Sequence, residues 1–268
     1  MKKLLTGIIV IIIGLVLVSC SPKENENEIK VGVAFYPMGE ILELIEDDLK
    51  NDGYKLVIEN FSDYQVPNNL LKHKELDANM IQHEYFLDAY NESNNSNLEI
   101  VMPIYHATYA LYSKDLENVN DIEEGSIILL PDDQTNISRA LYLLGQAGLL
   151  TFKDSTKVDL TEDDILTNPK KLTFNDKVPL TSLAQKYNEV GLAVMYPTYA
   201  RSLNLEGNEQ RLFVEQRDEI TEKYAISLAA RPDNKDSEKI ALLKKYLNSD
   251  KVREFLIENY SWASEPAF

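Results

Sequence analysis

The chain has 268 residues, 44% of them hydrophobic, and a formal charge of −17 at pH 7. It is long enough for two lobes of about 100 to 150 residues each, and too rich in core-forming residues for global disorder. So acidic a surface disfavours nucleic acid and anionic lipid headgroups as partners. Three histidines and one cysteine make a dedicated zinc site improbable, and no His-Glu-x-x-His, CxxC pair, Gly-rich phosphate loop or nucleophile elbow occurs. The expectation is a protein that is not an enzyme and carries no cofactor.

In chain order, Lys2 and Lys3 lead into an apolar run from Ile8 to Val18, closed by Leu17-Val18-Ser19-Cys20. A basic start, a short apolar segment and small residues describe a secretory signal peptide over residues 1–19. The run falls short of the roughly 20 apolar residues a spanning helix needs. Cys20, the only cysteine, can form no intramolecular disulfide. Leu-Val-Ser-Cys resembles the lipobox of bacterial lipoproteins, whose cysteine is acylated with chains such as palmitate and becomes the mature N-terminus. The plainer alternative is a buried thiol in a signal anchor. The lipobox reading implies a lipid anchor on the extracytoplasmic face of a bacterial cell membrane, with polar residues 20–27 as a flexible tether.

Strand-like and helix-like patterns then alternate. Strands are expected at 29–35, 54–61, 77–81 and 98–104, with helices at 41–49, 67–74 and 84–92 between them. A second series begins near Ser113. It has strands at 126–130, 171–174, 189–195 and 224–230, and helices at 135–149, 179–187, 238–247 and 251–259. Such alternation predicts α/β lobes with largely parallel sheets. Ligands of such sheets bind outside the carboxyl ends of the strands. Five loops therefore matter most: 35–39, 61–67, 80–86, 131–139 and 195–199. An extracellular α/β protein on a lipid tether suggests a two-lobed binder that closes on a small molecule.

These loops carry a resemblance. Val31-Gly32-Val33 through Pro37 to Glu40-Ile41-Leu42 is followed by Phe61-Ser62-Asp63-Tyr64 with Pro67-Asn68. Then come Asp77-Ala78-Asn79, Gln82-His83, Leu87-Asp88-Ala89, Asn136 with Arg139-Ala140-Leu141, and a terminal Pro266-Ala267-Phe268. In this order, from about residue 29 to 268, they resemble the NlpA/MetQ family, substrate-binding lipoproteins of methionine ABC importers. The resemblance implies a two-lobed fold of the periplasmic-binding-protein kind (type II), with the ligand cleft between the lobes. Lobe 1 would comprise 28–110 plus 225–268, and lobe 2 would comprise 111–224. The implied partners are a small-molecule ligand, an ABC permease and its ATPase, and the membrane through the lipid anchor.

A free amino acid needs a cation for its carboxylate and acceptors for its ammonium. Arg139 is the candidate for the first role, since its fork grips carboxylates in a bidentate way and it lies in the first turns of a helix; by residue type alone it could equally pair with Asp132 or Asp133. Its family counterpart holds the ligand carboxylate, and that of His83 touches the ligand. Tyr64 and Phe86 match cleft-lining aromatics, with Asn136, Met80, Tyr36 and Tyr196 as further candidates. The sequence departs from the family at Met80-Ile81, at Tyr85-Phe86, at Tyr196-Pro197-Thr198-Tyr199 and around Ile226. Tyr196 and Ile226 stand where the family has ligand-fixing asparagines. Methionine or a related amino acid is the expected ligand. The alternatives are another amino acid, a short peptide or an organic anion in the same receptor class, a non-transport surface lipoprotein, or a surface hydrolase.

Overall fold

The computed structural model describes residues 26–205 and 210–268. The expected signal peptide and the expected lipidation site Cys20 lie outside the described residues. Among the described residues, no helix is long and apolar enough to cross a membrane.

A six-stranded sheet runs in the order Ser264–Pro266, Glu99–Ala107, Ile226–Ala230, Ala78–Gln82, Glu28–Val33, Lys55–Asn60. Glu28–Val33 pairs in parallel with both Lys55–Asn60 and Ala78–Gln82. Ile226–Ala230 enters antiparallel between Ala78–Gln82 and Glu99–Ala107, and Ser264–Pro266 closes the far edge. Ile29, Val31 and Val33 are all but fully buried, the mark of a strand with apolar neighbours. A Cβ on Gly32 would come within 2.7 Å of Leu76 Cδ1 and 3.3 Å of Pro67 Cβ, so any side chain here would force its neighbours to shift. The helix expected over 41–49 is two helices, Met38–Leu44 and Glu46–Asn51. They are separated at Ile45, where φ is −99° and ψ 2°.

A second sheet is built from Leu192–Met195, Ala110–Ser113 and Arg211–Val214, in that order and wholly antiparallel. Parallel bridges Leu129–Ala193 and Ile127–Thr173 continue it sideways. The expectation of largely parallel sheets therefore holds for part of the first sheet and for the short pairings around residues 127–131, not for the three-stranded sheet. The departure has a physical cause: the chain steps from Glu99–Ala107 to Ala110–Ser113 across two residues, and returns between Arg211–Val214 and Ile226–Ala230. Strands that are not joined by an α-helical crossover within one sheet need not run parallel. The fold is a two-lobed α/β structure with a cleft between the lobes. Helix Gln134–Gln146 is capped by Asp133, whose side chain accepts from the Asn136 N–H. It buries Ile137, Ala140, Leu141, Leu143 and Leu144, and with them the polar Asn136, Ser138 and Arg139.

Candidate functional site

The five loops singled out by the strand pattern converge on one cavity. Its empty space, counted out through the mouth into open solvent, is about 470 Å³. From the six-stranded side come Phe35 and Met38, Tyr64, and Ile81, Gln82, His83 and Phe86. From the opposite side come Asn136 and then Tyr196, Thr198 and Tyr199. Tyr105, Ala107, Leu180 and Ile226 complete the wall.

Aromatic rings dominate the interior. Phe35 lies 5.6 Å from Tyr64 and 5.9 Å from Tyr199, and Tyr64 lies 5.5 Å from Phe86, measured between centroids. Such tilted, polarisable surfaces suit an apolar or thioether side chain.

Beneath them lies a closed set of amides. Asn68 and Gln82 exchange two hydrogen bonds of 2.6 Å, Asn79 Nδ2 donates to Asn68 Oδ1 at 2.8 Å, and Gln82 Nε2 also donates to Asn79 Oδ1 at 3.1 Å. All three are buried. They join helix Val66–Lys72 to strand Ala78–Gln82, fixing the turn that presents His83.

His83 caps helix Glu84–Asn94, its Nδ1 accepting from the Phe86 N–H at 3.2 Å. That bond assigns the ring proton to Nε2. Buried Nε2 has no hydrogen-bond partner, and neither has the buried hydroxyl of Tyr199. Burial, and then the charge of Arg139, lower the His83 pKa to about 3, opposed by the nearby Asn136 side chain, which does not reach hydrogen-bond geometry with Nε2. His83 is a neutral donor across the physiological range.

The opposite wall is tightly bonded. Asp133 accepts from Asn136 Nδ2 at 3.0 Å and from the Tyr64 hydroxyl at 3.2 Å. The Tyr196 hydroxyl donates to Asn136 Oδ1 at 2.7 Å and accepts from Arg139 Nη1 at 3.1 Å. Burial pushes its pKa up to about 12, against the pull of Arg139. Arg139 itself has no exposed surface. Its Nε and Nη2 donate to Glu215 at 2.8 and 2.5 Å, and Nη2 also reaches the Ala107 carbonyl at 3.2 Å. The rings of Tyr109 and Tyr224 each lie 4.7 Å from the guanidinium carbon.

Of the sequence candidates, Tyr64, His83, Phe86, Asn136 and Tyr196 line the cavity, whereas Arg139, Met80 and Tyr36 lie outside its lining. Arg139 stands behind Tyr196, held by Glu215 rather than by the Asp132 or Asp133 that its sequence position suggested. Met80 is fully buried in the hydrophobic core. Tyr36 packs edge-on against Tyr260 at 4.7 Å, under the guanidinium of Arg201 at 3.8 Å. Among the described residues, no cluster of His, Cys, Asp or Glu could hold a metal ion.

Against known proteins, the profile described as NlpA lipoprotein matches residues 29–268. The chain belongs to the NlpA lipoprotein family. A relative in Haemophilus influenzae, named probable D-methionine-binding lipoprotein MetQ, is 34% identical over 94% of this chain and 94% of its own. Outer membrane lipoprotein 1 of Mannheimia haemolytica is 36% identical over 85% of this chain and 82% of its own. A solved structure of a putative methionine-binding lipoprotein from Bacillus subtilis superposes with a TM-score of 0.84 at 32% identity. It covers 90% of this chain and 98% of that one.

For this NlpA lipoprotein, sequence reasoning missed Glu215, Tyr105 and Leu180, and took Tyr224 only as part of a strand. None carries a local signal. Glu215 is 76 residues from the arginine it neutralises, and no periodicity encodes such a meeting.

Proposed function

We propose that this NlpA lipoprotein is a lipid-anchored receptor on the extracytoplasmic face of a bacterial membrane. It captures methionine or a related amino acid compound in the cavity and delivers it to an ABC permease and its ATPase, making and breaking no bond. The observation that carries this reading is the pair of partnerless buried polar atoms, His83 Nε2 and the Tyr199 hydroxyl, on a cavity otherwise walled by aromatic rings. Buried polar atoms cost stability unless something completes their hydrogen bonds, and a small amphiphile with one polar end does so. The names of the relatives support the choice of a methionine-like side chain.

Residues 28–110 with 225–268 form lobe 1 in this reading, and 111–224 lobe 2. What supports the division is that each sheet draws its strands almost wholly from one set. Ligand docks on one lobe and closure brings the other onto it. Contacts such as Tyr64 to Asp133, and Thr198 Oγ1 to the Tyr36 carbonyl at 3.0 Å, would form on closing. Tyr64, His83, Phe86, Asn136 and Tyr196 are the residues assigned to ligand contact.

The test is a thermal-shift titration of the refolded, signal-free protein against L- and D-methionine, the other amino acids, methionine derivatives and small carboxylates. Ligand at 100 times its dissociation constant stabilises by about 2.7 kcal/mol, an upward shift of several degrees. Absence of a shift across the whole panel overturns the receptor reading. A second reading keeps the receptor class and changes the ligand; the pairing of Arg139 with Glu215 is what favours it.

A further inference from the structure

The polar end of the cavity has an unusual charge layout. Four of the five N–H groups of Arg139 are already engaged, by Glu215, the Ala107 carbonyl and Tyr196. Its guanidinium also lies among the rings of Tyr109, Tyr224 and Tyr196. Tyr196 faces the cavity, and Arg139 lies behind it.

We propose that Tyr196 sets the ligand class by screening Arg139 from the cavity, so that the site prefers an α-amino compound whose carboxyl is masked as an amide over a free α-amino acid. This inference rests on reading the cavity as a site for methionine-like compounds.

The bond pattern explains the preference. Arg139 and Glu215 cancel one another's charge, and Asp133, hydrogen-bonded on the same wall by Tyr64 and Asn136, leaves the surroundings negative. A carboxylate entering here loses its hydration and meets no cation. An amide carbonyl loses far less, and can accept from His83 Nε2–H and from the Tyr199 hydroxyl, the cavity-lining pair among the buried atoms that lack partners. The free ammonium of the same ligand is favoured by the negative surroundings. A small amino-acid amide and the N-terminal residue of a peptide share this chemistry.

Calorimetric titration with L-methionine, L-methioninamide and methionyl-glycine, on the wild type, Tyr196→Asn and Tyr196→Phe, separates the possibilities. The wild type is expected to bind methioninamide at least about tenfold more tightly than methionine. Tyr196→Asn shortens the side chain in front of Arg139 and should reverse the order. Tyr196→Phe keeps the ring in front of Arg139 but frees the two groups its hydroxyl had bonded; it should reduce the preference less than Tyr196→Asn does, with urea denaturation showing that each variant folds. Binding of methionyl-glycine alongside the amide extends the class to peptide N-termini, and its failure confines the class to small amides. Methionine binding the wild type as tightly as methioninamide overturns this inference and leaves the receptor reading standing. An amide preference that survives Tyr196→Asn overturns the role of Tyr196. If none of the three compounds binds any variant, the methionine-like ligand falls, and this inference with it.

Discussion

Gln82 and His83 are neighbours in sequence, both are buried, and both line the cavity, yet their polar atoms are treated differently. The Gln82 amide is satisfied on both of its ends by Asn68 and Asn79. His83 spends Nδ1 on capping a helix and leaves Nε2 with no partner. One residue spends its polarity on the frame; the next keeps its polarity for the cavity. Along this turn the fully bonded amide builds the frame, and the incomplete imidazole faces the cavity.

The same contrast orders what mutation should do. The largest effect is expected at Arg139→Met, which leaves Glu215, only 7% exposed, as an unpaired buried carboxylate. The loss should be about 3–5 kcal/mol in urea denaturation. A loss below about 1 kcal/mol would mean that Glu215 is solvated in solution. Next is Asn68→Ala, which strands Gln82 and Asn79, at about 1–3 kcal/mol for each buried group left without a partner. Ligand affinity should fall with it, because the turn holding His83 loosens.

His83→Gln sharpens the comparison through pH. Below about pH 6.5 the unfolded chain takes up a proton at this position, whereas the folded protein holds its His83 pKa near 3. Stability should therefore decline as pH falls from about 6.5 toward 3. The variant should show a shallower decline, and an identical slope would place the titration on other groups. The smallest effect belongs to Tyr199→Phe. Since its hydroxyl has no partner in the protein, stability should change by less than about 0.5 kcal/mol. Affinity for a polar ligand should drop severalfold, and a clear loss of stability would reveal a bond that this structure does not have.

Much of the site was legible in the sequence because it is built from strand-to-helix turns, which local pattern locates well. Phe35, Tyr64, His83, Phe86, Asn136 and Tyr196 all fall in the five loops so marked. What escaped was set by distance along the chain rather than by pattern. Glu215 meets Arg139 through folding alone, and pairs with the guanidinium that the sequence marked as a carboxylate anchor. The short strands Arg211–Val214 and Ser264–Pro266 offered too few residues for alternation to show. Ile45 interrupts a helical apolar pattern that reads as continuous, since side-chain spacing does not record a local change of backbone angle.

The place of Ile226–Ala230 between Glu99–Ala107 and Ala78–Gln82 has a consequence for how the molecule is made. The strand at the heart of the larger sheet is among the last to emerge during synthesis, so its neighbours wait for it with unpaired edges. Contacts of such long sequence separation form slowly. The larger lobe cannot be finished until nearly the whole polypeptide is available. For the extracytoplasmic receptor proposed above, which would cross a membrane before folding, this ordering gains time.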